Sequence, residues 1–138
     1  MQTLDQLFFS QRNNSDSFME IIVNVIIVLI VSFHIYVLWL EMFAWESRGV
    51  KVFNNFPKDL FPKTKTFAAN QGLYNGFLAA GLSWSLFIQN PEWQDNIAYF
   101  FLGCVAVAGG FGGFTVSRKI FFMQALPAVT AIALMLLK

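Results

Sequence analysis

The sequence predicts an all-α, polytopic membrane protein, a bundle of four transmembrane helices. Three observations carry that expectation. Of 138 residues, 57% are hydrophobic and only 12% charged, with seventeen phenylalanines, which is too apolar for a soluble domain of this size. The apolar residues fall into four runs, each near the roughly 20 residues that cross a bilayer. The lysines and arginines collect in polar stretches between those runs rather than along one face. With a net charge of +1, that distribution excludes nucleic acid as a partner.

Residues 1–19 are polar, with a short apolar patch at Leu4, Leu7, Phe8 and Phe9 followed by QRNNSDS. No basic start leads into an apolar core and no small-residue cleavage site follows, so the expectation is an exposed tail or short interfacial helix. The first span covers residues 20–45 and holds Asn24, His34 and Glu41. His34 and Glu41 are seven apart and share a helix face. A carboxylate inside a span needs a reason: either a functional role or an ion pair with Arg48 at the headgroup level. His34 is read either as a neutral ring bonded to a neighbouring helix or as a titrating group.

Residues 46–66, ESRGVKVFNNFPKDLFPKTKT, form the one long loop. Its lysines, two prolines and interleaved Phe53, Phe56, Leu60 and Phe61 suit a segment lying on headgroups. The second span, residues 67–88, places Asn70, Gln71, Tyr74 and Asn75 within one arc, because Asn70/Tyr74 and Gln71/Asn75 are i,i+4 pairs. Gly72, Gly76 and Ala80 form a small-xxx-small row on another arc, a face for close helix packing. Hydrocarbon cannot satisfy carboxamides, so the polar arc should line a helix contact or a wet intramembrane site.

A turn at residues 89–96 leads to the third span, residues 97–116, with Gly103, Gly109, Gly110, Gly112 and Gly113. GGFGG lacks the Lys-Ser/Thr of a phosphate loop and reads as helix packing. Cys104 lies in this apolar run without a cysteine partner, so neither an intrachain disulfide nor a cysteine metal site is expected, and no metal is expected elsewhere. No cofactor is legible. Ser117, Arg118 and Lys119 make a tight turn into the fourth span, residues 120–137, where Pro127 should kink the helix and free a carbonyl near Gln124.

With four spans, the first and third loops share one side and carry Arg48, Lys51, Lys58, Lys63, Lys65, Arg118 and Lys119, whereas Arg12 and Lys138 lie on the other. The positive-inside rule then makes this an inner-membrane protein with both termini outward and the basic loops cytoplasmic. Depth brings the polar residues together. At about 1.5 Å per residue, Glu41 lies about 10 Å from Arg48, Asn70 and Asn75 about 7 to 15 Å from Lys65, and Gln124 about 7 Å from Lys119. Glu41, Asn70, Gln71, Tyr74, Asn75 and Gln124 are therefore expected to converge in one layer, with His34 deeper and Arg118 and Lys119 at the mouth.

From His34 to Leu136 the chain resembles a family of small bacterial and fungal integral membrane proteins catalogued as domain of unknown function thirteen-oh-four. The resemblance rests on His34-x-Tyr36, Leu40-Glu41-Met42-Phe43-x-Trp45, the run from Ala69-Asn70-Gln71-Gly72-Leu73-Tyr74-Asn75-Gly76 to Trp84, Thr115-Val116-x-Arg118-Lys119, and Gln124-x-Leu126-Pro127. It implies four membrane helices and no known activity. A more distant architectural similarity is to the membrane-associated eicosanoid and glutathione metabolism proteins, which share the size, span count and long first loop. Leu73 stands where that family would place a glutamate, and the arginines before the motif are missing, which argues against glutathione. The small multidrug-resistance exporters are similar in having a carboxylate in the first of four spans, although Glu41 lies nearer one end.

Three readings follow. The first is a binder or enzyme acting on a small amphiphile drawn from membrane lipid, with the amides and Tyr74 orienting its headgroup and Glu41, aided by His34, as base or cation ligand. The second is a structural protein whose polar layer staples helices together. The third is a proton-coupled exporter using Glu41 and His34. The small-residue faces of the second and third spans also suit a homo-oligomer.

Overall fold

The structure, a computed structural model, describes residues 4–137, with side chains from Asp16 onward. The expected N-terminal tail over residues 1–19 falls partly outside the described residues, as do the Arg12 side chain and Lys138. The chain is helical, with no strand among the described residues. Helix α1 runs Leu4–Phe43, α2 Phe61–Ser85, α3 Pro91–Thr115 and α4 Arg118–Leu136.

Local chemistry sets each boundary. After Phe43 the helix widens, and the Ala44 carbonyl accepts from the backbone N–H groups of Ser47, Arg48 and Gly49 in a π-turn over Trp45–Gly49. A short 3₁₀ turn, Lys58–Leu60, feeds directly into α2, whose first turn holds Pro62, where no N–H is needed. The second helix thus starts at Phe61, earlier than the apolar run suggested. Asn90 caps α3 by accepting the Trp93 N–H at 3.0 Å, with Pro91 next to it. Ser117 stands at the N-cap of α4. Pro127 lacks an N–H to give back along α4, and a π-turn at Phe121–Ala125, just before it, absorbs that mismatch.

Three stretches are long and apolar enough to cross a membrane: Asp16–Phe43, Pro91–Thr115 and Arg118–Leu136. The fourth expected span does not reach that mark. Although α2 has 25 residues, its carboxamides, serines, glycines and lysines dilute its hydropathy.

The helices close a ring, in which α1 packs on α2 and on α4, and α3 packs on α2 and on α4. Two hairpins, α1/α2 and α3/α4, therefore meet side by side. Their shared core is Val23, Ile27, Ile30 and Val31 of α1, Ala79 and Leu82 of α2, Ala98, Leu102 and Val105 of α3, and Ala128, Ala131 and Met135 of α4. The α2 and α4 members lie in the half nearer the chain termini, and Ile30, Val31 and Val105 lie near mid-helix. Toward the other half, the loop end, the segment Phe121–Ala125 packs on α3 and on its own flanking turns. There the hairpins are held chiefly within themselves.

Glycines set those hairpin contacts. A Cβ on Gly72 would lie 2.8 Å from Met42 Cγ and 3.1 Å from Glu41 Cβ, and one on Gly109 would lie 2.5 Å from the Ala125 backbone nitrogen. Only a missing side chain lets α2 approach α1, and α3 approach α4, this closely.

Candidate functional site

The loop end is closed by aromatic rings. Trp45 packs against Phe53, Phe56 and Phe61, with ring centroids 5.4, 6.1 and 4.9 Å away, and its indole N–H donates to Thr64 Oγ1 at 3.1 Å. Gly49 is buried under the indole. The loop phenylalanines thus turn inward onto Trp45, and Phe61 is fully buried, rather than lying out on a surface as expected. Their cause is local: the π-turn folds residues 45–49 back over the start of α2. The sequence reading missed this cluster, although four aromatic residues within 17 positions around one loop were its visible signal.

Beneath this cap lies the contact between α1 and α2. Glu41 Oε2 accepts a hydrogen bond from Asn75 Nδ2 at 3.0 Å, and the same amide group donates to the Gln71 carbonyl at 3.1 Å. Both Glu41 and Asn75 are half-buried. The carboxylate thus takes a neighbouring amide as its partner rather than Arg48. Asn75 lies about one turn deeper than Glu41, because Gly72 faces Glu41 and Gly76 faces Leu38.

His34, seven residues before Glu41 on the same face, is fully buried. Its Nδ1 donates to the Ile30 carbonyl at 2.8 Å, on its own helix rather than on a neighbour. That carbonyl can only accept, so the neutral ring presents Nε2 as a lone-pair acceptor, and this atom is buried without a partner. Two turns nearer the loop, the same face of α1 is open enough to leave Glu41 half-exposed. The polar pair thus sits half-exposed on the α1/α2 contact beneath the aromatic cap, two turns from the buried His34.

The other expected members do not join this pair. Asn70, Gln71 and Tyr74 are exposed on the outward side of α2. Gln124 is half-buried on α4, where its Cβ lies over Gly109. Arg118 and Lys119 are exposed in the first turn of α4. Around them, Lys63 pairs with Asp59 at 3.1 Å and Lys65 with Glu46, while Arg48, Lys51 and Lys58 are also exposed, so the loop end is strongly basic. The side chains that flank the opposite ends of the helices include Asp16, Glu20, Glu92 and Asp95. Among the described residues, no three His, Cys, Asp or Glu side chains are grouped so as to hold a metal ion.

These features define a class: a small helical protein with membrane-length apolar helices and a polar contact between the first two long helices. Residues 28–136 match the family model described as "Protein of unknown function (DUF1304)", and the chain belongs to that family. It is similar to the uncharacterized protein YpaA of Lactococcus lactis subsp. lactis (strain IL1403), with 30% identity over 114 residues, covering 80% of this chain and 94% of YpaA. No solved structure matches it.

Proposed function

We propose that the protein is an integral inner-membrane protein whose four long helices all cross the bilayer, with both termini outward and the basic loop end in the cytoplasm, and that it binds or converts a small amphiphile. Within this arrangement α2 enters the hydrocarbon as part of a hairpin, its glycine face covered by α1. The charge contrast between the two ends supports the orientation. The observation that carries the binding site is the half-exposed Glu41–Asn75 pair, a carboxylate and an amide set on the α1/α2 contact beneath the aromatic cap. Among the described residues Glu41 makes no ion pair, so a headgroup that donates hydrogen bonds or carries positive charge suits it best. The amphiphile's tail would lie along the exposed apolar flanks of α1 and α2, and the basic rim would hold the loop end against anionic headgroups.

Native mass spectrometry of the protein released from its own membrane in mild detergent tests this reading. A small molecule that co-purifies with the wild type and is lost from Glu41→Gln supports a binding site. The second reading, a polar staple, is favoured by one observation: the Asn75 amide bridges α2 to α1. It predicts protein without a ligand and loss of the folded bundle when Asn75 is changed. An exporter would instead show proton-driven efflux of cations that disappears in Glu41→Gln.

A further inference from the structure

The outward side of α2 carries a row of side chains that the packing inside the chain does not use. Phe67, Asn70, Tyr74, Phe77 and Trp84 are all exposed, with Phe67 at 74%, Tyr74 at 54%, Phe77 at 56% and Trp84 at 58%. The successive spacings of three, four and three residues keep Phe67, Asn70, Tyr74 and Phe77 on one seam of 3.5-residue period, the spacing that feeds a helix–helix contact; the seam ends at Gly81, which packs against Phe101 of α3, and Trp84 lies beyond it. Gln71 lies beside Asn70 and is exposed as well.

This mixture fits neither lipid nor water. Hydrocarbon offers no partner to two carboxamides, and water gains nothing from exposed Phe67 and Phe77. A second helix satisfies both, with the asparagine fixing register among apolar neighbours. The glycine rows do not compete for this role, since Gly72 and Gly76 are already filled by α1.

We propose that this seam pairs with the same seam of a second copy of the chain, making a homodimer through α2. Two copies inserted in one direction are related by an axis normal to the bilayer, so their α2 helices run parallel and each seam residue meets its own counterpart. A carboxamide carries both donor and acceptor, so Asn70 satisfies itself across such an axis, with Gln71 flanking it. That self-complementarity selects a second copy over an unrelated helix. The outward side of α3, lined by Phe100, Gly103, Cys104, Val107 and Phe111, is an open apolar groove that lipid chains can cover. The inference uses the membrane-crossing reading above but not the amphiphile site.

Disulfide trapping in native membranes tests it, with Cys104→Ala as background. Phe67→Cys and Phe77→Cys are expected to give a covalent dimer on oxidation, and Val107→Cys on α3 none. Changing Asn70 and Gln71 together to leucine is expected to lower trapping at Phe77→Cys about tenfold, in a protein whose helicity by circular dichroism is unchanged. If that double variant loses helicity, Asn70→Ala alone takes its place with the same expectation. The proposal is overturned by absence of dimer at both α2 positions, by equal trapping at Val107→Cys, or by trapping that survives removal of the amides.

Discussion

Glu41 and Asn75 come from different helices, and the Glu41 carboxylate takes its hydrogen bond from the Asn75 amide, which also donates to the Gln71 carbonyl. Replacing Asn75 with leucine leaves the carboxylate without its donor and is expected to destabilise the bundle by about 1–3 kcal/mol, read as a lower melting temperature in detergent. His34 should behave in the opposite way. Its one hydrogen bond goes to its own helix and its other ring nitrogen is unpaired, so His34→Leu is expected to keep or slightly raise stability. A loss of more than about 1 kcal/mol would show that the ring serves another group in the native protein. The Asn70, Gln71, Tyr74, Asn75 arc was visible in the sequence. Which part of it meets α1 was not, because the arc is wider than one helix contact and only its Asn75 edge reaches Glu41.

At the level of the elements, glycines with close neighbours and glycines without them separate cleanly. A methyl group on Gly109 meets the backbone of α4, which cannot swing aside, so Gly109→Ala is expected to cost about 1–3 kcal/mol. Nothing lies within 4 Å of a Cβ on Gly103, and Gly103→Ala is expected to be neutral or stabilising by up to about 1 kcal/mol. Parallel thermal melts of the two variants check the contrast. Hydropathy located the cores of the helices, because burial in lipid and burial in protein both select apolar runs. It placed the start of α2 too late, since Lys63 and Lys65 ride on its first turns, and it had no means of showing the inward turn of Phe53, Phe56 and Phe61 onto Trp45. Pro127 announced a disturbance in α4, and the π-turn before it is how the backbone absorbs that disturbance.

For the whole molecule, the split between a basic loop end and an acidic opposite end was legible from charge position alone. The ring order of the helices was not, because each helix has more than one apolar face and only the glycine contacts single out its neighbour. The proposed orientation makes a direct prediction: in a Cys104→Ala background, Lys58→Cys, on the exposed loop, should react with a membrane-impermeant thiol reagent only when the cytoplasmic side is accessible. Labelling of intact cells from outside would reverse the topology.

The lean of the shared core toward the terminal half also bears on how the chain is made. In the proposed membrane-crossing arrangement α1 emerges before α2, and α2 is less apolar than the three membrane-length stretches. In the proposed four-span arrangement, the glycine groove that fits α2 onto Leu38, Glu41 and Met42 lets α1 act as its escort, covering Gly72, Gly76 and Asn75 as the pair leaves the insertion machinery. The α3/α4 hairpin, apolar in both arms, needs no such escort and can join afterwards by zipping up the terminal half.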